Sequence, residues 1–365
     1  MEKSLKKAGK KMLIVALCLV GILLVLFVIW VFISSGTIRT YEGEKSLSEK
    51  FVKEINGAPN GFFINSKNTD NPVLLFVSSG PGTDDYVFTD KYEDMNLEDD
   101  YTVVYWDYRS MGIAYDSDYD PEQITLENLL KDTYTVTQYL KERFGKSRIF
   151  IMGFSGGTHL ALRAAYRHPE DYYALINMAQ CITDSYENDT LMYGFMKDVF
   201  TSRNDKSSLN KLENIVEHVD EVNVKCDDWY EFVNLLHDAG GGTILNKTEF
   251  TGIVLPIIFS KCYTVSEKIN YIRGMKMYRK TPLSEELEGF DYRKEIPELQ
   301  IPVYFISGES DYNCPWPLVE EYCDIIKAPD KGFYLIPDSA HSPLWENAGV
   351  TCEVMRQIKE KCIHE

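Results

Sequence analysis

A chain of 365 residues, 44% hydrophobic and 13% aromatic, can bury a sizeable core and is too apolar for a disordered chain; its size suits one large α/β domain or one domain carrying an insertion. A formal net charge of −18 opposes nucleic-acid binding, because each phosphate contact would be made against the field of the whole molecule. Eight cysteines form no CxxC pair and no His/Cys grouping at ligand spacing, which excludes structural zinc and a full disulfide framework and leaves buried free thiols as the expectation.

Met12 to Ile33 carries no charge over 22 residues, which at helical rise spans roughly 33 Å, the depth of a bilayer core. Lys3, Lys6, Lys7, Lys10 and Lys11 precede it and only Arg39 and Lys45 follow closely, so the positive-inside rule predicts a cytoplasmic N-terminus and an external remainder. The alternative is a cleaved secretory signal ending near Ser34, Ser35 and Gly36, although signal cores are shorter, about 7–15 residues.

Between residues 39 and 64 the chain is polar with short β-like pieces, expected as antiparallel edge strands. Val73–Val77 and Thr102–Trp106 read as strands buried on both faces. From Thr125 to Phe144 apolar or small residues recur on one helical face, and Gly145 supplies the stop. Arg148–Gly153 is strand-like, Gly156–Tyr166 helix-like, and Tyr173–Met178 strand-like again. Alternating strand and helix implies βαβ units and a mostly parallel sheet. Charged helical segments then dominate 183–295, before buried-strand signatures return at Val303–Ser307 and Phe333–Ile336. The expected organisation is a basic cytoplasmic tail over 1–11, a transmembrane helix over 12–33, an α/β core in two parts over 34–182 and 296–365, and a helical cap over 183–295.

Gly153-Phe-Ser-Gly-Gly157 fits G-x-S-x-G and falls directly after a strand and before a helix, where such a turn exposes its serine. A serine hydroxyl is a weak nucleophile at neutral pH, so it needs a histidine base and a carboxylate that orients the histidine. Of six histidines, His341 alone lies in a loop after the last predicted strand. His159 and His168 belong to the helix after Ser155, His218 and His237 to the cap, and His364 to the end of the chain. Asp311 follows Val303–Ser307 and is the expected acid, with Glu309 as its rival. An oxyanion would be held by the N–H of Gly156 and by a second N–H from Ser78-Ser-Gly-Pro-Gly82. There Gly80 or Ser79 is the donor, since Pro81 has none. Gly240-Gly-Gly242 reads as a flexible turn, and Asp107 and Arg109 as braces beneath the site.

SSGPG at 78–82, WDYRSMG at 106–112, GFSGG at 153–157, SGESD at 307–311 and SAHSP at 339–343 together resemble the prolyl iminopeptidase-like branch of the α/β hydrolases. The resemblance covers roughly 60–345. It implies an α/β-hydrolase fold with an inserted helical cap, and it assigns Ser155 as nucleophile, Asp311 as acid, His341 as base, and Gly80 with Gly156 to the oxyanion hole. It implies no cofactor or metal. The pattern departs from that branch at Ser78-Ser79 in place of His-Gly, at Tyr108 in place of Gln, and at Gly156 in place of Trp, all of which bear on substrate choice. Branch members that remove an N-terminal proline hold the substrate's ammonium with cap acids; Glu187, Asp189, Asp227, Asp228 and Glu231 are available here without an assignment among them. The expected function is a membrane-anchored aminopeptidase acting through an acyl-enzyme on short peptides. The alternatives are an esterase or other acyl hydrolase on small molecules, and an inactive binding protein.

Overall fold

Asn56 and Gly57, both at positive φ (49° and 74°), turn the chain between β1 (Leu47–Ile55) and β2 (Ala58–Ser66), with Ile55 pairing directly across to Ala58. A two-residue turn of this handedness matches the twist of an antiparallel pair. The computed structural model describes residues 2–80, 85–92, 94–216 and 229–363. Pro81, Gly82, His218, Cys226, Asp227, Asp228 and His364 therefore lie outside the described residues.

The remaining strands are β3 (Val73–Val77), β4 (Thr102–Asp107), β5 (Ile149–Phe154), β6 (Tyr172–Met178), β7 (Val303–Gly308) and β8 (Lys331–Ile336). They form one sheet in the order β1-β2-β4-β3-β5-β6-β7-β8, antiparallel as far as the β2–β4 pairing and parallel from β4 to β8. Successive residues of the central strands face opposite apolar layers. Leu75, Val104 and Ile151 enter one core, and Leu74, Val103 and Met152 enter the other. Both faces of these strands are thus covered, as uninterrupted Val/Ile/Leu runs require.

The expected buried strand at Phe333–Ile336 is different. β8 is largely half-buried or exposed, because it is the outer strand of the parallel run and has a neighbour on one side only.

Helix α1 (Glu2–Ile33) precedes the sheet, and Lys10–Ile33 within it is long and apolar enough to cross a membrane, with none of its most apolar stretch buried against protein. Helices α2 (Tyr86–Lys91), α3 (Leu126–Phe144) and α4 (Thr158–Arg167) connect the early strands. Thr125 caps α3 by accepting the Asn128 N–H at 3.1 Å, and Gly145 ends it at φ 61°.

Between β6 and β7 the described chain runs through α5 (Tyr186–Ser202), α6 (Lys206–Ile215), α7 (Trp229–Ala239), a π-helical turn (Phe250–Val254) leading into α8 (Leu255–Phe259), α9 (Val265–Tyr278), α10 (Leu283–Glu286) and α11 (Tyr292–Glu295). α5, α6 and α7 share an apolar cluster of their own, built on Met196, Phe200, Leu212, Phe232 and Leu236. Helices α12 (Trp316–Ile325), α13 (Pro343–Glu346) and α14 (Ala348–Ile363) complete the chain.

Candidate active site

β5 delivers Ser155 at the C-terminal edge of the sheet with φ +50°, a left-handed conformation that costs a non-glycine residue and is kept only when its surroundings impose it. The neighbours show what imposes it. A Cβ on Gly153 would lie 2.7 Å from Thr158 Cα and 2.8 Å from Ala161 Cβ, and one on Gly156 would lie 2.5 Å from the Ser79 carbonyl oxygen. A Cβ on Gly157 would run into the carbonyls of Val77 and Ser78. Only glycine lets the turn nest between the end of β3 and the start of α4.

His341 Nε2 lies 2.8 Å from Ser155 Oγ, and His341 Nδ1 lies 3.0 and 3.1 Å from the two carboxylate oxygens of Asp311. Asp311 and His341 are buried, whereas Ser155 is half-buried and opens onto the cavity. Burial by itself would lower the pKa of His341. The Asp311 charge and hydrogen bond outweigh that, helped by Cys181 and Glu346, and the imidazole is raised above its ordinary 6.5. The rival carboxylate, Glu309, instead accepts the backbone N–H of Asp338 at 2.9 Å.

The loop carrying Ser79 and Gly80 lies against the turn after Ser155. Asp85 accepts the Ser79 N–H at 2.6 Å and the Ser79 hydroxyl at 2.9 Å, so the Ser79 N–H is engaged by a carboxylate, and Gly80 beside it on the cavity wall is the expected donor. Tyr108 donates its hydroxyl to the Ser78 carbonyl at 2.6 Å. The residues that depart from the branch pattern thus brace one another around this loop. Below it, Arg109 grips buried Asp132 through Nε at 2.5 Å and Nη2 at 2.6 Å, and Asp107 accepts the Ile113 N–H at 2.8 Å.

Three positioning features carry no sequence motif. The Gly240–Gly242 turn is also a support: the Gly241 carbonyl accepts the Tyr312 N–H and the Gly242 carbonyl accepts the His341 N–H, each at 3.3 Å. Glu346 accepts the N–H groups of Ala340, Ser342 and Leu245, gathering the His341 loop and the helical insertion on one carboxylate. Burial raises its pKa, partly offset by those bonds. Cys181 and Cys314 face each other with Sγ atoms 3.5 Å apart, both lining the cavity beside Ser155. Of the histidines that sequence position set aside, His159 also lines the cavity, its Nδ1 2.6 Å from the Tyr292 hydroxyl.

The cavity has a volume of about 770 Å³ and is lined mainly by apolar side chains, among them Phe88, Leu129, Phe154, Leu160, Ile253 and Leu283. Ser155, Gly156, Gly80 and His341 lie on its wall. Among the described residues, one trio has metal-ligand spacing, His168 with Glu170 and Asp171. It sits after α4, away from this cavity, and Gln138 and Lys141 already hold the Asp171 carboxylate.

A hydroxyl on a strained strand-to-helix turn, an imidazole in reach of it and a buried carboxylate behind the imidazole define a hydrolase of the α/β type. The chain belongs to the α/β-hydrolase fold family, which matches residues 72–348. It is similar to a protein of Bacillus subtilis (strain 168) named probable aminopeptidase YbaC, with 27% identity over 301 residues that cover 82% of this chain and 92% of the relative. Among solved structures it resembles the proline iminopeptidase of Mycobacterium smegmatis, with TM-score 0.59 and 16% identity over 86% of this chain and 98% of that one. A proline iminopeptidase-related protein from Thermus thermophilus superposes with TM-score 0.55 and 16% identity, covering 87% and 99% respectively.

Proposed function

We propose that the chain is a membrane-anchored serine hydrolase of aminopeptidase type that works through an acyl-enzyme on short peptides. The observation that carries the chemistry is the continuous hydrogen-bonded line from Ser155 Oγ through His341 to Asp311. His341 takes the Ser155 proton as Oγ attacks a carbonyl, Asp311 holds the imidazole in the required tautomer and stabilises the imidazolium, and the N–H groups of Gly80 and Gly156 receive the oxyanion. His341 then protonates the leaving group, and water resolves the ester by the reverse sequence. The peptidase assignment draws on the relative named probable aminopeptidase. The apolar α1, with five lysines before its uncharged stretch Met12–Ile33, supports anchoring with the N-terminus in the cytoplasm and the hydrolase outside.

Reaction with a fluorophosphonate tests the serine. Labelling of the parent that disappears in a folded Ser155→Ala variant is the expected result; labelling that survives, or a folded parent that never labels, overturns the assignment and in the second case favours a binding protein.

A second reading, an acyl or ester hydrolase, is favoured by the cavity wall. Glu187 pairs with Arg293 at 2.7 Å, half-buried Asp189 is pushed up to about 6 by burial and by Asp184, and Glu231 is exposed. None of the three lines the cavity, where Asp85 is the one carboxylate among the described residues and it already accepts from Ser79. Aminoacyl anilides and simple esters assayed side by side separate the readings; turnover of esters with no turnover of any aminoacyl amide removes the peptidase.

A further inference from the structure

The last turn of α1 is fastened to the helical insertion rather than to the sheet. Trp30 donates its indole N–H to the Ile258 carbonyl at 2.7 Å, and buried Lys268 binds Ser34 Oγ at 2.8 Å together with the carbonyls of Ile258 and Ser260. Thr37 N–H follows onto the Lys261 carbonyl at 3.0 Å. These bonds fix the level of the insertion relative to the apolar helix. Trp30 is three residues before the helix end, about 4.5 Å at 1.5 Å per residue. A side chain next to Ile258 therefore lies at the depth where tryptophans gather at membrane surfaces.

Phe259 is that side chain, and it is 59% exposed. Val254 and Phe250, five and nine residues back on the same short helical stretch, are exposed as well, Phe250 at 56%. This short helical stretch also separates two spaces. Ile253 lines the cavity that holds Ser155, whereas Thr251, Leu255, Pro256 and Phe259 share a groove with Ile33, the last residue of α1. A single helix, about 10 Å thick, thus stands between the cavity and the point where α1 would leave the bilayer. On α9, Ile272, 52% exposed, and Met275 also line the cavity, with Lys276 and Arg279 beside them, so the rim of the opening pairs apolar with basic side chains.

The charge of this stretch is opposite to that of the molecule. Residues 247–280 hold seven Lys and Arg against two Glu, a net charge of +5 in a chain of −18. Basic residues above an apolar ridge match the anionic headgroups above the acyl region of a bilayer.

We propose that the segment Phe250–Lys280 rests in the surface of the membrane that α1 crosses, with Phe250, Val254 and Phe259 among the acyl chains and the exposed basic residues, Lys261, Arg273, Lys276, Arg279 and Lys280, on anionic phospholipid headgroups. The cavity then opens at the lipid–water boundary, and the substrates that reach Ser155 most readily are amphiphiles dissolved in that boundary rather than freely soluble compounds. This rests on α1 spanning the bilayer.

The full-length protein reconstituted into vesicles tests it, with an environment-sensitive fluorescent amino acid replacing Val25, Phe259, Ile272 or Ile325 one at a time and nitroxide lipids as quenchers of known depth. Ile325 lies on α12, which packs against β7 and β8 at the edge of the sheet opposite β1, and is 51% exposed. The expected result is deep quenching at 25, shallow quenching at 259 and 272 that is at least twofold stronger in phosphatidylglycerol vesicles than in phosphatidylcholine, and none at 325. Quenching at 25 with 259 and 272 no different from 325 overturns the proposal and leaves the anchor standing. Loss of quenching at 25 overturns the anchor and the proposal together. Equal quenching in both lipids at 259 and 272 overturns the assignment to anionic headgroups.

Discussion

Glu346 accepts the backbone N–H of Leu245 at 2.5 Å, so one half-buried carboxylate ties the helical insertion to the loop that carries His341. The same group takes the N–H of Ala340 and Ser342, the two residues that flank the base. Removing it loosens the imidazole without touching a reacting atom. Glu346→Ala should lower kcat by about 10²-fold, the scale of a small misplacement of a catalytic group. Glu346→Gln separates geometry from charge. Glu346 raises the His341 pKa through its charge, so the acid limb of kcat/KM should move to lower pH in that variant. An unmoved limb would limit Glu346 to holding the loop.

His341 must be neutral to accept the Ser155 proton, and its pKa is raised above 6.5, with the Asp311 charge and bond overcoming the effect of burial. Activity should therefore fall as pH drops through a midpoint above that of free imidazole. Asp311→Asn removes the charge that holds the proton, so the midpoint should shift down while kcat falls by about 10⁴-fold through the wrong tautomer. A pH–rate profile of both proteins on one ester substrate checks the two effects. An unshifted midpoint would mean that another group controls the limb.

The serine turn was legible because its requirements are local: a strand, a serine at positive φ and glycines at 153 and 157 leave a five-residue trace. Asp311 and His341 were legible from chain order, since loops that follow adjacent parallel strands meet at one sheet edge. The supports were not. Gly241 and Gly242 act through carbonyl oxygens, which every residue has, and Glu346 acts through three N–H groups whose convergence only the folded loops create. The outer position of β8 was equally hidden, because apolar residues on an edge strand read like those of a central one. The Asn56-Gly57 turn is a local hairpin signal that the reading of 39–64 as short β-like pieces did not use.

Cys181 offers a chemical handle on the cavity. Its thiol is held well below the ordinary range, first by the hydrogen bond from Cys314 and then by His159 and His341, against the opposing effect of burial. Cys314, its partner, is pushed well up. Cys181 should therefore carry more thiolate at a given pH than an ordinary thiol and be alkylated faster than the other cysteines. Iodoacetamide should inactivate the enzyme with a rate that stays high below pH 8, and mass mapping should find the label on Cys181 first. Cys181→Ala should slow inactivation by at least about tenfold, in line with the loss of the most reactive thiolate. First labelling of Cys352 or Cys362 instead would contradict the assignment.

Asp85 separates two consequences of one residue. Among the described residues it is the cavity's one carboxylate, and it holds the Ser79 N–H and hydroxyl, which shapes the loop that presents Gly80. Any substrate needs the oxyanion donor, so Asp85→Ala should lower kcat for esters and amides alike, by about 10²-fold if the Gly80 donor is misplaced. A free ammonium on the substrate adds a second demand, because a cation entering an apolar cavity requires an anionic partner. If Asp85 meets that demand, KM for aminoacyl anilides should rise about tenfold or more, the scale of one charge-assisted hydrogen bond, while KM for simple esters stays near the parent value. Asp85→Asn sharpens the comparison by keeping the side-chain shape and an acceptor for Ser79 while removing the charge. A rise in KM confined to amine-bearing substrates assigns the ammonium to Asp85 and supports the peptidase. Equal changes in kcat for both classes, with KM unmoved, confine Asp85 to the loop and favour uncharged acyl substrates in the apolar cavity.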